Sequence, residues 1–180
     1  MSDLQAPERR GALRLVGGIL AGALGLALLA PSLILLADPL RRRKRQGTGG
    51  HRVPVAQIDE IPDLDAGAAP LRAPVVATGL RDAWNRLDTT KLGSVFLGKR
   101  AGGLHCLSAT CPHAGCGIDF DPQKKLFVCP CHNSTFAIDG TRQDGPSPRD
   151  MDRLEVAIEG DTIFCRFQRF RLALAKKVPA

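Results

Sequence analysis

The chain has 180 residues, carries 25 Lys and Arg against 18 Asp and Glu for a net charge of +7, and is 44% apolar. That length holds one domain of ordinary size with an appendage, and that apolar content excludes wholesale disorder. The basic excess is confined to the two ends (8 basic and 3 acidic side chains in residues 1–45, 12 and 15 in 46–165, 5 and none in 166–180), which with seven Phe, one Trp and no Tyr excludes a nucleic-acid-binding surface.

Residues 1–10 end in Arg9-Arg10, which resembles a twin-arginine export signal. From Leu15 to Ala37 there are 23 residues without a charge, rich in Leu, Ala and Gly. A helix rising about 1.5 Å per residue spans roughly 34 Å over such a run, enough for a hydrocarbon core of about 30 Å. A transmembrane anchor is predicted over residues 11–37. A cleaved signal peptide is the alternative reading. Against it, the apolar run is longer than a usual signal core, and Leu35-Leu36-Ala37 lacks the small residue that precedes a cleavage point. The run Arg41-Arg42-Arg43-Lys44-Arg45 follows and by itself favours a cytoplasmic position for that end of the helix. Gln46-Gly47-Thr48-Gly49-Gly50 has the composition of a flexible linker, so residues 38–62 are predicted to be a basic flank and tether.

Residues 63–180 are predicted to form the head. Val75–Thr78, Ser94–Leu97, Leu104–Leu107, Leu126–Val128, Leu154–Ile158 and Ile163–Phe167 are short β-like runs separated by Gly, Pro, Asp and Asn. Leu154, Val156 and Ile158 alternate with charged or small residues; Glu159-Gly160-Asp161 then turns the chain into a second alternation at Ile163, Cys165 and Phe167. No run of helical period follows residue 62, so the fold class is all-β, a small antiparallel domain behind one N-terminal transmembrane helix. Trp84 reads as a packing residue, His51 and His105 as ordinary strand histidines, and Cys106 and Cys165 as core thiols with a bridge between them as the alternative.

Two loops carry the chemistry: Cys111-Pro112-His113-Ala114-Gly115-Cys116 and Cys129-Pro130-Cys131-His132-Asn133-Ser134. Each supplies Cys and His at close spacing with one further Cys. A Cys₂His₂ set suits zinc, although structural zinc sites usually draw a Cys pair from one loop and a His pair from another. A two-iron, two-sulfide cluster accounts for the mixture if Cys111 and Cys129 hold one iron and His113 and His132 the other. Two ferric ions, two sulfides and two thiolates sum to zero charge with neutral imidazoles, whereas four thiolates leave a dianion. An electron enters the neutral centre more readily, which places His₂ clusters at about −150 to +300 mV against about −400 mV for plant-type ones.

These loops resemble those of Rieske iron–sulfur proteins, closely over residues 104–150 and loosely in the flanking strands. The resemblance implies one [2Fe–2S] cluster in a cluster-binding subdomain of about 104–150, the ligands Cys111, His113, Cys129 and His132, and a disulfide between Cys116 and Cys131. The extra Cys pair, and a Pro-rich segment Gly145-Pro146-Ser147-Pro148-Arg149 similar to the loop that covers the cluster, point to the quinol-oxidising branch found in cytochrome bc-type complexes. That branch implies an electron-transfer subunit of a quinol–cytochrome c oxidoreductase, with a cytochrome b subunit, a c-type cytochrome and quinol as partners. His132 would take the quinol hydrogen bond and its proton. A Rieske subunit of another membrane or periplasmic oxidoreductase, arsenite-oxidase-like, is the alternative. The resemblance also gives Ser134 a hydrogen bond to a bridging sulfide. High-potential members carry Tyr where Phe136 stands, which implies a less oxidising cluster and menaquinol as the donor. Ala114 and Pro112 replace a larger apolar residue and a Thr common there. A disulfide beside a cluster requires an oxidising compartment. The expected location is therefore a bacterial cytoplasmic membrane, single-pass, with the N-terminus cytoplasmic and the cluster domain on the outer side, against the charges at 41–45.

Overall fold

The computed structural model describes the backbone of residues 6–45, 50–81 and 86–180. Trp84 and most of the linker, residues 46–49, lie outside the described residues, as do the side chains of Arg9, Arg10 and Arg41–Arg45. The chain divides into two compact units, Met1–Gly47 and Thr48–Ala180.

The first unit contains α1 (Ala6–Arg45), within which Gly11–Ala37 is a 27-residue stretch long and apolar enough to cross a membrane. Its Leu and Ile side chains are exposed along the whole stretch, as suits a helix solvated by lipid.

The second unit is all-β. Ten strands follow in order: β1 (His51–Gln57), β2 (Leu71–Arg81), β3 (Arg86–Arg100), β4 (Gly103–Ser108), β5 (Asp119–Asp121), β6 (Leu126–Cys129), β7 (Ser134–Phe136), β8 (Arg142–Asp144), β9 (Glu155–Glu159) and β10 (Thr162–Phe167). They make three antiparallel sheets, ordered β1-β10-β9, β2-β3-β4 and β5-β6-β7-β8. The first two sheets form the base and share one core. Val53, Ile163, Cys165 and Phe167 come from one sheet and Ala73, Val75, Val95, Leu97 and Cys106 from the other. The third sheet is inserted between β4 and β9 and has its own core of Phe96, Leu107, Ile118, Phe127, Phe136 and Met151, into which Cys111 and Cys129 are also packed. An exposed ion pair ties it to the base, Arg72 to Asp119 at 2.5 Å.

Each predicted β-run falls in a strand, apart from Leu154, which packs in the core just ahead of β9. Two expectations need correction. Residues 51–57 are not tether: β1 pairs with β10 from His51↔Phe167 to Gln57↔Thr162, so the head already includes β1 rather than starting at residue 63. Pro54 is tolerated because β1 is an edge strand and its register shifts between Pro54 and Ala56. Ile158 is not inward-facing but 51% exposed, at the end of edge strand β9 where the chain turns.

His105 lies on β4, and the Arg153 guanidinium donates to its Nδ1 at 3.1 Å, which keeps the ring proton on Nε2. Burial first, then the charges of Arg153 and Arg100, hold its pKa below the ordinary imidazole value of about 6.5. Below that value the unfolded chain binds a proton that the folded head resists, so this group makes the head lose stability as pH falls through about 6.5. His105→Gln removes that contribution. Thermal midpoints followed from about pH 8 to about pH 5 are expected to fall less steeply in the variant, and equal slopes contradict the assignment.

Candidate metal centre

Both Cys–His loops are tight turns closed by their own backbone. In the first, the Cys111 N–H donates to Cys116 O at 2.8 Å and the Gly115 N–H to Cys111 O at 2.9 Å, above an isolated bridge Thr110↔Gly117. Gly115 has φ +79, a conformation open to glycine at little cost. The second loop is the tip of the β6–β7 hairpin, where Cys129 pairs with Ser134, and Asn133 at φ +56 makes the left-handed turn that Asn tolerates. Cys111 and Cys129, at the bases of the two loops, are 1% and 2% exposed. His113 is half-buried, and His132 is exposed at its tip. Their rings meet edge to face, with centroids 4.8 Å apart. Buried sulfurs thus lie behind two imidazoles.

Burial and the neighbouring Cys129 sulfur push the Cys111 thiol above its ordinary value, while the backbone N–H groups of His113 and Ala114 act against this at its sulfur. Such a thiol ionises only against a compensating cation, and the directed amides suit a sulfur that carries negative charge.

Cys116 and Cys131 are joined as a disulfide that bridges the two loops, as the resemblance implied. The sulfurs of Cys116, Cys129 and Cys131 lie within 4.8 Å of one another, but two of these three are bonded together and have no thiolate to offer zinc. The donors left beside that bridge are two thiols and two imidazoles from two loops, a set that fits a [2Fe–2S] cluster with mixed ligands.

The Pro-rich segment lies against the second loop. Gly145 has φ +87, and a Cβ there would collide with the Ser134 backbone. Ser147 N–H donates to the wholly buried Ser134 Oγ at 3.1 Å; Pro146 is exposed and Pro148 half-buried. Phe136 is wholly buried in the same core as Cys111 and Cys129. Cys106 and Cys165 are placed elsewhere, in the base core, as unbonded thiols with sulfurs 3.7 Å apart. The contact with Cys165 and burial push the Cys106 thiol far up, so that thiol stays protonated, while the same contact draws the Cys165 thiol down.

In the sequence Arg149 stood out only as the end of the Pro-rich segment, and Asp152 not at all. Arg149 Nε and Nη2 donate to the Asp152 carboxylate at 3.0 and 2.9 Å, and both side chains are only 8% exposed. Their spacing of three is the one local signal for that pair.

The bridge closes a loop with a sequence separation of 15, which in the chain-entropy model stabilises the folded head by about 3 kcal/mol. Cys116→Ser with Cys131→Ser is expected to lower the unfolding free energy by about that amount in denaturant titration, and a change below about 1 kcal/mol contradicts it.

Residues 73–167 match the model of the Rieske [2Fe-2S] domain family. Among curated relatives, the cytochrome b6-f complex iron-sulfur subunit of Chlorobaculum thiosulfatiphilum is 24% identical over 156 residues, 87% of this chain and 74% of that protein. The menaquinol:cytochrome c reductase iron-sulfur subunit of Geobacillus thermodenitrificans is 29% identical over 153 residues, 83% of this chain and 82% of that protein. The cytochrome b6-f subunit of Synechococcus sp. (strain JA-3-3Ab) is 37% identical over 57 residues, a match spanning 33% of its length. Among solved structures, the cyanobacterial plasma membrane Rieske protein PetC3 from Synechocystis PCC 6803 is 25% identical with a TM-score of 0.42, covering 64% of this chain and 99% of its own. The family match covers more than half of the 180 residues and includes both Cys–His loops. The chain therefore belongs to the Rieske family, with one Rieske-type [2Fe–2S] cluster and a role in electron transport.

Proposed function

We propose that the chain is the electron-transfer subunit of a membrane quinol–cytochrome c oxidoreductase, taking one electron and one proton from quinol and passing the electron to a c-type cytochrome. The observation that carries this reading is the pair of disulfide-linked hairpin tips with buried thiols behind and imidazoles in front. The relatives named for cytochrome b6-f and menaquinol:cytochrome c reductase complexes support it, as does the helix long enough to span a membrane.

In this reading Cys111 and Cys129 would hold one iron and His113 and His132 the other. The bound cluster supplies a one-electron couple in the range of about −150 to +300 mV. An imidazole that ligates through one nitrogen leaves the other free for a proton. His132, exposed at the loop tip, takes the quinol hydroxyl as a hydrogen-bond donor and then holds its proton. His113, half-buried, presents less of its ring to solvent. Ser134 Oγ accepts from the Ser147 amide, which leaves its hydroxyl proton free, and it would donate that proton to the bound cluster. Gly145 lies against the Ser134 backbone, and with Pro146 and Pro148 on either side of Ser147 it belongs to the segment that would cover the cluster.

The membrane arrangement follows the same reading: a bacterial cytoplasmic membrane, N-terminus inside, cluster domain outside. Arg9-Arg10 supports export of a folded head, and the Cys116–Cys131 bridge supports an oxidising side. With β1 in the head, the stretch left to act as a tether shortens to residues 46–49, whose composition is that of a flexible linker.

Purification of the chain from membranes is expected to bring b-type haem and quinol-dependent reduction of a c-type cytochrome with it. A Rieske signal that copurifies without haem b contradicts the bc-type reading and leaves the arsenite-oxidase-like alternative. Menaquinol is the proposed donor, on the strength of Phe136 and the Geobacillus relative. Phe136→Tyr adds a hydroxyl within the core that holds Cys111. A hydrogen bond to sulfur worth about 1 kcal/mol raises a one-electron potential by about 40 mV. A redox titration of the variant is expected to show that rise, and an unchanged midpoint removes the tuning argument.

A further inference from the structure

The family match ends at Phe167, yet residues 168–180 are ordered against the first Cys–His loop. This trailing segment closes on itself: Arg171 N–H donates to Val178 O at 2.8 Å, Ala180 N–H donates to Arg169 O at 3.0 Å, and Phe170 bridges Pro179. Its outer bend, Leu172-Ala173-Leu174, reaches the ligand loop. Ala173 N–H donates to Pro112 O at 2.9 Å. Leu172 covers Gly115 so closely that a Cβ there would sit 3.0 Å from its Cδ1. Pro112 and Gly115 flank His113 on either side. The segment thus grips the turn that presents this imidazole.

The grip is latched by a buried charge. Arg149 Nη1 donates to Leu174 O at 2.6 Å while its other two nitrogens are held by Asp152. Ser147 Oγ donates to Arg149 O at 2.8 Å, and Ser147 N–H in turn donates to Ser134 Oγ. A continuous path of hydrogen bonds therefore runs from the second loop at Ser134, through the Pro-rich segment and the Arg149 guanidinium, to the trailing segment and the first loop at Pro112. Lys177 adds an anchor, donating to Arg153 O at 2.5 Å with its ammonium over the Phe170 ring. Planar guanidinium geometry suits such a three-way joint, since it fixes directions as well as charge.

We propose that residues 168–180 are a clamp, with Arg149 as its latch, that positions the Cys111–Cys116 turn and so keeps the His113 ring in place beside His132. This is a second, non-covalent link between the two loops, in addition to the disulfide. Its consequence for the cluster rests on the ligand assignment proposed above; the clamp itself does not.

Ala173 offers a selective test because it sits at φ +56. Ala173→Pro cannot adopt that angle and removes the N–H that Pro112 accepts. Ala173→Gly keeps the N–H and suits the angle better. In the full-length membrane protein, amide exchange at Cys111 and Gly115 is expected to speed up about tenfold in Ala173→Pro and to stay at the native rate in Ala173→Gly. A chain ended at Gln168 should behave as Ala173→Pro does; if it fails to accumulate, the Pro variant decides alone. Electron paramagnetic resonance of the reduced protein is expected to show shifted or broadened g-lines in the Pro variant and native lines in the Gly variant. Native exchange and native lines in Ala173→Pro overturn the clamp. Faster exchange with native lines leaves the clamp standing but overturns its hold on the His113 ring. A native protein with no Rieske signal overturns the ligand assignment instead, and the exchange rates then still report on the clamp.

Discussion

Two thiols packed side by side in an apolar core dominate the organisation of this head. Cys111 and Cys129 are almost wholly buried, yet as the proposed cluster ligands they would have to act as thiolates. Burial opposes that ionisation, and the backbone N–H groups of His113 and Ala114 at the Cys111 sulfur favour it. Everything around the pair serves to hold these sulfurs in while leaving the imidazoles out. The loops are closed by hydrogen bonds on their own cysteines, cross-linked by a disulfide, and floored by Phe127, Phe136 and Ile118. The base sheets contribute rigidity and a separate core, and no residue to the Cys–His loops.

This division gives each loop atom a distinct electronic part. Sulfur donors sit where solvent is excluded, so the charge they carry is felt strongly by whatever they bind. The imidazoles of His113 and His132 sit at the rim, where the proposed proton exchange with a partner would take place. Ser134 and Phe136 are both wholly buried, and the hydroxyl present at one and absent at the other are the two points at which the proposed reading has side chains of this chain tune the cluster.

The site was legible in the sequence because its chemistry is local. Cys111 and His113 are two residues apart, Cys129 and His132 three, and both spacings survive any uncertainty about the strands around them. The strongly alternating strand β10 was legible for the same reason. Strand β1 was not: Pro54 and the glycines before it read as linker, and the partner that makes it a strand lies at the far end of the chain. Strands β5, β7 and β8 are three residues each, too short to show a period. The contact of Cys106 with Cys165 joins two different sheets, which no spacing reveals. Residues 168–180 carried only a basic excess; their hold on Pro112 runs through a backbone carbonyl, which leaves no trace in residue identity, and the Leu172 side chain meets Gly115 across a long separation in the chain.

The central claim is that sulfur from Cys111 and Cys129 and nitrogen from His113 and His132 jointly hold one diiron centre. Electron–nuclear double resonance on the reduced protein, grown with nitrogen-15 histidine, tests it most directly. The account predicts strong coupling to two imidazole nitrogens, with one lost in His113→Cys and the other in His132→Cys. Absence of nitrogen coupling, or a preparation that holds zinc and no iron, would contradict it.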